Sequence, residues 1–341
     1  MIVQIAKEVE SINILILSAG RRVELIKCFK DAARRLGIEN EIFGADCQET
    51  APALYFADRR VLLPRISEPN YIDTIIHVCK KHNIRLVVPT IDTDLLLLAE
   101  SKERIETLTK AKVLISELDV IRICRDKIKT HKFLMQEGFG VPKLYLDEEL
   151  DSANVEFPLF IKPIDGSSSI NAFRVNNFKE LDLYRQLIPR YMVQEFINGD
   201  EYTVDAFLDF DSNIVSIVPR LRLATRTGEI AKGKIVKDNE IISDVKRLFR
   251  VLKPVGHVTV QCMKTDKSIQ YIEINPRFGG GAPMSIKSGA DSCEGLYRLL
   301  RGEKLSYHED YQDGLLFLRF DDCIILNDRN ELVGCNGDFD D

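Results

Sequence analysis

The chain has 341 residues, with 47 lysines and arginines against 53 aspartates and glutamates, and a formal net charge of −6. The acidic balance argues against a dedicated nucleic-acid binder, whose affinity depends on basic patches. No apolar run approaches the roughly 20 residues that cross a bilayer, and the amino-terminal segment lacks the basic start of a signal peptide. Eight scattered cysteines without a CxxC pair predict reduced thiols. We therefore expect a cytoplasmic protein with neither nucleic-acid nor membrane partners.

The first third of the chain alternates apolar strands with amphipathic helices. The run INILIL at residues 12–17 is typical of a strand buried on both faces of a parallel sheet. A helix follows over 23–36 and is ended by Gly37. Further strands are predicted at 41–46, 61–63 and 85–88, and a further helix at 71–82. This alternation predicts an α/β fold with an open parallel sheet.

Acidic side chains follow two of these strands. Asp46 ends the second strand, and Asp92 and Asp94 follow the strand at 85–88. Ligands of open α/β sheets usually bind at the carboxyl ends of strands. Asp46 and Asp94 are therefore candidates for binding an amine-bearing substrate. Acids in such loops equally serve as helix caps, so both interpretations stay open.

The pattern changes near Asp119, where mixed helices and antiparallel strands begin. A helix carries Lys127 and runs to Gly138, and a short strand, FPLFIKP, ends beside Lys162. Later segments predict several strands between residues 171 and 274, a helix over 240–252, and a helix near 293–301. We divide the chain into an amino-terminal α/β domain (1–118), a small lobe with a linker helix (119–192), and a large lobe with the carboxy-terminal segment (193–341).

The stretch YIEINPRFGG, residues 271–280, places three polar side chains at alternate positions, namely Glu273, Asn275 and Arg277. In a strand, alternate residues share one face. Gln261 lies on the preceding strand, at cross-strand distance of roughly 5 Å. Magnesium prefers hard oxygen ligands, and one carboxylate with two carboxamides would suit it. A solvated strand face is the alternative.

A lysine and a small-residue turn form a second polar feature. Lys162 is either a solvated strand end or a point charge for phosphates. The turn that follows it could present backbone N–H groups and hydroxyls to a polyphosphate. That turn contains Gly166, Ser167, Ser168 and Ser169. The chain contains neither a Walker A loop nor a GxGxxG fingerprint.

The segment PRLRLATRTGEIAKGK, residues 219–234, is rich in cations. Arginine binds carboxylates in a bidentate manner, so an anionic-substrate or triphosphate pocket is one interpretation. A solvated strand face is the other. We favour a substrate role for Arg222 and Lys232 and a structural role for Arg220.

The order of these elements resembles the ATP-grasp superfamily over residues 119–305. Within it, the Gln…Glu-x-Asn-Pro-Arg set is most similar to the synthetase halves of carbamoyl-phosphate synthase large subunits and their short relatives. The preceding α/β domain resembles the family's usual amino-terminal domain. The resemblance implies two lobes that clasp ATP.

The resemblance also implies roles for individual residues at the nucleotide. Lys127 and Lys162 match the two lysines that contact the phosphates and the adenine side. The loop from Gly166 to Ser169 matches the one that closes over the β- and γ-phosphates. The hinge that meets the adenine edge through the backbone matches Gln194, Glu195, Phe196 and Ile197. Glu201 matches the acceptor of the ribose hydroxyls.

The resemblance further implies the reacting groups. Gln261, Glu273 and Asn275 match the magnesium ligands, and manganese substitutes for magnesium in such sites. Arg277 matches the arginine that stabilises the transferring phosphoryl group, with Lys162 and Asn275 assisting. Many ligase relatives have an acid where this chain has Gln261, which lowers the negative charge of the site.

The function that follows is an ATP- and Mg²⁺-dependent ligase. It would phosphorylate a small-molecule carboxylate to an acyl-phosphate and join it to an amine, releasing ADP and phosphate. One alternative is a carbamoyl-phosphate synthase-like bicarbonate or carbamate kinase. Another is a non-catalytic nucleotide-binding regulator. A homodimer is the expected assembly, since dimers are the commonest oligomers.

Overall fold

The computed structural model describes residues 11–151, 155–166 and 170–335, which form two compact units. The first unit comprises the chain up to Ile115, Asp291–Ser306, and the residues from Asp321 onward; the second comprises Ser116–Ala290 and Tyr307–Phe320. The sequence-based division puts all of 193–341 into one lobe. The structure instead groups two carboxy-terminal segments with the first unit.

The sheet of the first unit has five parallel strands in the order β3-β2-β1-β4-β5. The strands are β1 (Asn13–Ile16), β2 (Ile42–Asp46), β3 (Arg59–Leu62), β4 (Ile84–Val88) and β5 (Lys112–Val113). The central strand β1 is buried throughout, as its uninterrupted apolar sequence predicts. The open parallel sheet confirms the predicted fold class.

Three helices connect these strands: α1 (Val23–Leu36), α2 (Tyr71–Lys81) and α3 (Asp92–Leu108). Helix α1 ends at Gly37, whose φ of 61° is the left-handed conformation that glycine adopts without strain. Helix α3 is absent from the sequence prediction. Four consecutive leucines, at residues 95–98, obscure its 3.6-residue period. Asp92 and Asp94 lie in its first turn, where acids interact favourably with the helix dipole.

A carboxy-terminal helix, α10 (Ser292–Leu300), explains why its segment belongs to the first unit. Tyr297 packs edge-on against Phe29 of α1, with ring centroids 6.1 Å apart. The Tyr297 hydroxyl accepts a hydrogen bond from Asn40 Nδ2 at 2.8 Å. Arg35 pairs with Asp291. These long-range contacts leave no local trace in the sequence.

The second unit opens with two helices, α4 (Leu118–Cys124) and α5 (Lys127–Gln136), where the sequence analysis predicts one. Asp126 separates them in an extended conformation. Its carboxylate accepts hydrogen bonds from the backbone of Ile128 and Lys129, so it caps α5. Lys127 is therefore the first residue of a helix rather than an interior one.

A small antiparallel sheet follows, in the order β6-β9-β7-β8. Its strands are β6 (Leu144–Tyr145), β7 (Leu159–Pro163), β8 (Phe173–Val175) and β9 (Tyr191–Glu195), accompanied by α6 (Asp147–Leu150) and α7 (Phe178–Leu187). Helix α7 was not predicted, although Asn177 caps it through Glu180 N. The cluster of Leu159, Ile161, Leu181 and Val193 forms the core of this sheet.

A six-stranded antiparallel sheet completes the second unit, in the order β14-β13-β10-β11-β12-β15. Its strands are β10 (Asp200–Leu208), β11 (Ile214–Arg226), β12 (Glu229–Ile235), β13 (Gly256–Lys264), β14 (Ile269–Asn275) and β15 (Leu316–Leu318). Helix α8 (Asn239–Leu252) packs its apolar face on this sheet through residues such as Val245 and Phe249. A short unpredicted helix, α9 (Ala282–Lys287), follows β14. Strands β16 (Ile324–Leu326) and β17 (Leu332–Cys335) form a hairpin of the first unit.

The sequence analysis also expects that the chain has no membrane span and that its thiols are reduced. Within residues 11–151, 155–166 and 170–335, no helix combines the length and apolar content that crossing a membrane requires. Among the cysteines whose side chains the structure describes, five are free and buried, and Cys47 and Cys323 are free and exposed.

Candidate functional site

A cavity of about 360 Å³ lies in the second unit, lined by strands of both its sheets. It gathers many residues that the sequence analysis selects, namely Lys127, Lys162, Gly166, Gln194, Glu195, Phe196, Ile197, Glu201, Arg222, Gln261 and Glu273. Apolar residues complete the lining, among them Phe160, Ala172, Met263 and Ile272. The sequence analysis missed these apolar residues, because their types do not distinguish a ligand-contacting strand residue from a core one.

Lys162 occupies the most unusual environment in this cavity. It is 5% exposed, and among the described residues its ammonium donates one hydrogen bond, a long one of 3.4 Å, to the carbonyl of Ile272. That carbonyl belongs to a bulge in β14, since Gln261 pairs with Glu273 while Cys262 pairs with Tyr271. Burial lowers the pKa of Lys162 to about 8, although the nearby Glu273 carboxylate opposes the shift. An anion in the cavity would relieve this poorly compensated charge.

Lys127 contacts both the phosphate-loop candidate and the acidic side chain. Its Nζ donates to the carbonyl of Gly166 at 2.8 Å and lies 3.8 Å from Glu273 Oε1. Its backbone N–H donates to the carbonyl of Ile164. Helix α5 thus begins directly against the turn that follows β7. Ser167, Ser168 and Ser169 lie outside the described residues.

Gln261 and Glu273 are direct partners on β13 and β14. In one orientation of the carboxamide, its nitrogen donates to Glu273 Oε2 at 3.2 Å and its oxygen accepts from Arg222 Nη1 at 3.0 Å. In the opposite orientation the Gln261 carboxamide oxygen faces Glu273 Oε2, a second acceptor, at 3.2 Å. Adjacent ligands of an octahedral Mg²⁺ are separated by about 3 Å, because metal–oxygen distances are about 2.1 Å. The pair would fit a divalent cation in that second orientation, in which Gln261 gives up its hydrogen bond from Arg222.

The acid content of this site is low. Within the three described ranges, no group of three or more His, Cys, Asp and Glu side chains could hold a metal ion. A cation here would depend on one carboxylate with carboxamide oxygens, with the remaining ligands coming from phosphate and water. Such a set suits Mg²⁺ bound together with a nucleotide rather than alone.

Arg222 connects three strands around the cavity. Its guanidinium donates to Thr203 Oγ1 at 3.2 Å and to the carbonyl of Gly228 at 3.0 Å. Its Nε lies 3.1 Å from Glu201 Oε1, and the Arg222 side chain is 6% exposed. Burial lowers the pKa of Arg222, and the neighbouring carboxylates oppose that shift. The pairing of Arg222 with Glu201 was not predicted, since 20 residues separate them.

The structure corrects the geometry predicted for residues 273–277. Strand β14 ends at Asn275, because Pro276 has no N–H to continue the ladder. Arg277 instead lies in a turn, where its backbone N–H donates to the carbonyl of Asn275 at 2.8 Å. The three side chains do not share one strand face. Neither Asn275, which is buried, nor Arg277 lines the cavity.

Three candidate substrate residues are not among those that line this cavity. Lys232 is exposed on β12, where it pairs with Ala224 and Leu318, and it does not line the cavity. Asp46 and Asp94 belong to the first unit.

Asp46 and Asp94 both stabilise the loop after β1. Asp46 Oδ2 accepts from Gly20 N at 2.9 Å, and Asp94 Oδ2 accepts from Ser18 Oγ at 2.7 Å. Burial raises the pKa of Asp94 to about 6. These contacts brace the loop, a role that neither the amine-binding nor the helix-cap interpretation predicts.

Comparison with known proteins matches both units to described families. Residues 14–113 match the PylC-like N-terminal domain, and residues 124–281 match the ATP-grasp domain. This chain carries an ATP-grasp domain. All the cavity-lining candidates from Lys127 to Glu273 fall within the match.

Relatives of the ATP-grasp domain and its neighbouring unit include ligases of known activity. A carbamoyl-phosphate synthase of Methanobrevibacter smithii is 24% identical over 302 residues, covering 83% of this chain and 79% of the relative. A D-alanine–D-alanine ligase of Francisella philomiragia subsp. philomiragia is 26% identical over 189 residues. That match covers 51% of this chain and 63% of the ligase, which is less than two thirds of its length.

Solved structures show the same fold. The crystal structure of an L-amino acid ligase from Bacillus licheniformis superposes with a TM-score of 0.65 at 20% identity, covering 85% of this chain and 74% of that one. The ATP-grasp domain match and these ligase relatives support ATP-dependent ligase activity at the level of the family.

Proposed function

We propose that this chain joins a small-molecule carboxylate to an amine, with ATP bound in the 360 Å³ cavity and Mg²⁺ held beside Glu273. The observation that carries the proposal is the convergence of Lys127, Lys162 and Glu273 on that cavity. Phosphoryl transfer requires positioning and charge neutralisation more than covalent catalysis by the protein. Two lysines and a metal-binding acid supply both.

The lysines act on the nucleotide's phosphates. Lys162 is buried and makes no short ion pair with the residues that the structure describes, so a phosphate oxygen would complete its coordination. Lys127 donates to the carbonyl of Gly166, and both residues line the cavity. Gln194 to Ile197 contribute the wall where the adenine edge would bind.

Glu273 and Gln261 would hold the cation, and Asn275 follows Glu273 by two residues at the end of β14. Bound Mg²⁺ supplies Lewis-acid neutralisation of charge on the phosphates. In the orientation that accepts from Arg222, the Gln261 carboxamide turns its nitrogen toward Glu273, so ligating Mg²⁺ would require the carboxamide to rotate and give up that contact. Glu201 in turn contacts Arg222. Arg277, in the turn after β14, would stabilise the phosphoryl group in transfer.

The Arg277→Ala variant is expected to lower kcat about 100-fold while KM for ATP changes by less than about threefold. The reason is that its charge is needed mainly in the transition state. Steady-state phosphate release measures both constants, and Arg250→Ala, which removes an exposed arginine of α8, is the matched control. A rise in KM with kcat unchanged would reassign Arg277 to substrate binding.

A phosphate-release screen of acid and amine pairs tests the proposal. We expect ATP-dependent phosphate release that requires both an acid and an amine, with ADP as the coproduct. ATP binding without turnover across a broad panel would favour the non-catalytic regulator. Absence of ATP binding would overturn the assignment of the cavity.

Similarity to a carbamoyl-phosphate synthase over 83% of the chain favours a second candidate, a bicarbonate or carbamate kinase. The two candidates differ in the acceptor that triggers phosphate release. Bicarbonate with ammonia would indicate the kinase, whereas an amino acid with an amine would indicate the ligase.

A further inference from the structure

The proposed reaction leaves two features of the second unit without a role. One is the glycine run Gly279-Gly280-Gly281 after Arg277. The other is the buried charge cluster, which consists of Asp205, Arg220, His257 and Thr259, each at most 5% exposed. The structure shows that the two features are in contact.

The buried charge cluster lies on the same face of the large sheet as the proposed cation site. On β10, Thr203 pairs with Gln261 and Asp205 pairs with Thr259. Because alternate residues of a strand share a face, Thr203 and Asp205 project to the same side. Arg220 is the partner of Thr203 on β11, so it also lies there. The cluster therefore begins two residues along β13 from Gln261, at Thr259.

An ion pair fixes the centre of the cluster. Arg220 Nε donates to Asp205 Oδ2 at 2.6 Å, and Nη2 donates to Oδ1 at 3.1 Å. His257 Nε2 lies 3.5 Å from Asp205 Oδ1, and Thr259 Oγ1 donates to that same oxygen at 3.4 Å. Burial raises the pKa of Asp205, but Arg220 and His257 outweigh it and hold that pKa below its usual range. The guanidinium is therefore held in one position by a bidentate contact.

The turn after β14 packs its backbone onto this cluster. A Cβ on Gly281 would lie 2.7 Å from Arg220 Nη1 and 2.9 Å from Nη2. A Cβ on Gly279 would lie 2.9 Å from Thr259 Oγ1. Gly281 has a φ of −95°, which any residue adopts. Residue 281 is therefore glycine because a side chain there would be too close to Arg220, and not because of the backbone conformation.

The same turn carries Arg277. Its backbone N–H donates to the carbonyl of Asn275, which pairs with Thr259 across the strands. Its Nη1 donates to the carbonyl of Phe278 at 3.2 Å. Phe278 is fully buried and stacks on His257, with ring centroids 4.4 Å apart. The residues on both sides of Arg277 are therefore held by the buried charge cluster.

We propose that Asp205 and Arg220 are positioning residues that set the direction of the Arg277 side chain by fixing the turn at residues 276–281. This inference rests on the proposed role of Arg277 in phosphoryl transfer. A buried ion pair is often no more stabilising than apolar residues of similar size. What the pair provides here is a fixed guanidinium surface against which only glycine fits.

Two variants separate positioning from stability. Gly281→Ala inserts one methyl group against Arg220, and Gly334→Ala is its control, because there the nearest atom to an added Cβ is Ile325 Cδ1 at 3.9 Å. The double variant Asp205→Val, Arg220→Met removes both charges together. We expect the double variant to unfold within a few degrees of the wild type, since the two opposite charges are removed together while His257 and Thr259 lose their contacts with Asp205 Oδ1.

The direct readout is the Nε–H resonance of Arg277 in arginine-labelled protein, assigned by its loss in Arg277→Ala. We expect this resonance to shift in Gly281→Ala and in the double variant, and to stay in place in Gly334→Ala. An unmoved resonance in both variants, with the fold retained, would overturn the proposal. This readout is independent of catalysis, so it would not by itself affect the proposed function.

The functional readout is the tightening of MgADP binding by aluminium fluoride, a mimic of the transferring phosphoryl group. We expect Gly281→Ala and the double variant to bind MgADP within about threefold of wild type and to lose at least about tenfold of the fluoride-dependent tightening. Adding Gly281→Ala to Arg277→Ala should cause no further loss. If Arg277→Ala loses the tightening while both other variants retain it, the positioning role is wrong and the role of Arg277 stands. If Arg277→Ala retains it, the proposed function of Arg277 fails, and the positioning proposal that rests on it fails too.

Discussion

Replacing Glu273 by glutamine is expected to slow ATP-dependent phosphate release about 10³-fold, equivalent to about 4 kcal/mol of transition-state stabilisation. Glu273 is the carboxylate that pairs with Gln261 and approaches Lys127. Glutamine has the shape of the Glu273 side chain but no charge, so metal binding should weaken while the fold remains. Phosphate release at saturating ATP and increasing Mg²⁺ measures the effect.

The matched control is Glu148→Gln, which neutralises an exposed acid on α6. Its rate should stay within about twofold of wild type. Thermal unfolding of Glu273→Gln should match the wild type within a few degrees, because the Glu273 side chain is partly exposed, at 21%. Wild-type turnover in a folded Glu273→Gln protein would refute the assignment of the metal site.

The Lys162→Met variant is expected to bind ATP about 30-fold more weakly, because a charge-assisted contact to phosphate contributes roughly 2 kcal/mol. The same variant should be more stable than wild type without nucleotide. Its buried ammonium has a pKa of about 8, against 10.5 in an unfolded chain, which corresponds to a penalty of roughly 3 kcal/mol at neutral pH. Nucleotide titration and denaturant unfolding measure the two effects separately.

The pH dependence of stability supplies an internal check. Below pH 8, folding keeps the Lys162 ammonium charged in a site that disfavours it. Between about pH 8 and 10.5 the folded protein releases this proton while the unfolded chain retains it, so the penalty disappears as pH rises. The stability gap between Lys162→Met and wild type should therefore narrow over that range.

The control for Lys162 is Lys132→Met, which removes an exposed lysine of α5. It should change neither ATP affinity nor the pH dependence of unfolding. Unchanged ATP affinity in Lys162→Met would count against a phosphate-binding role. A stability gap that is constant from pH 7 to 10.5 would contradict the buried-ammonium interpretation.

The parallel sheet of the first unit could be predicted from sequence, because continuous apolar runs and a helix stop at Gly37 are local signals. Helix α3 was missed because its four consecutive leucines conceal the helical period, so its two aspartates were placed in a loop. The structure places both in the first turn, where Asp94 bonds Ser18. Strand ends and caps look alike in sequence when the periodicity is obscured.

Part of the candidate site was also visible in sequence. The polar residues Lys162, Gln261 and Glu273 interrupt apolar strands, and the cross-strand pairing of the last two follows from adjacent strands. The placement of Arg277 did not follow, because alternation was extended past Pro276, which ends the strand. The assignments of Asp46 and Asp94 depended on acids that follow strands, and that of Lys232 on a cation-rich segment. Lys232 does not line the cavity, and the two acids belong to the first unit.

By itself the sequence determined most strands of the parallel sheet and the two strands that carry Gln261 and Glu273, because periodicity, glycine and proline stops, and polar residues within apolar strands act over a few positions. Only the tertiary structure decided that Arg220 is buried against Asp205, that Gly281 must lack a side chain, and that Arg222 reaches Glu201. These features depend on which strands become neighbours and in what register. Register is fixed by packing over the whole sheet, and no short stretch of sequence specifies it.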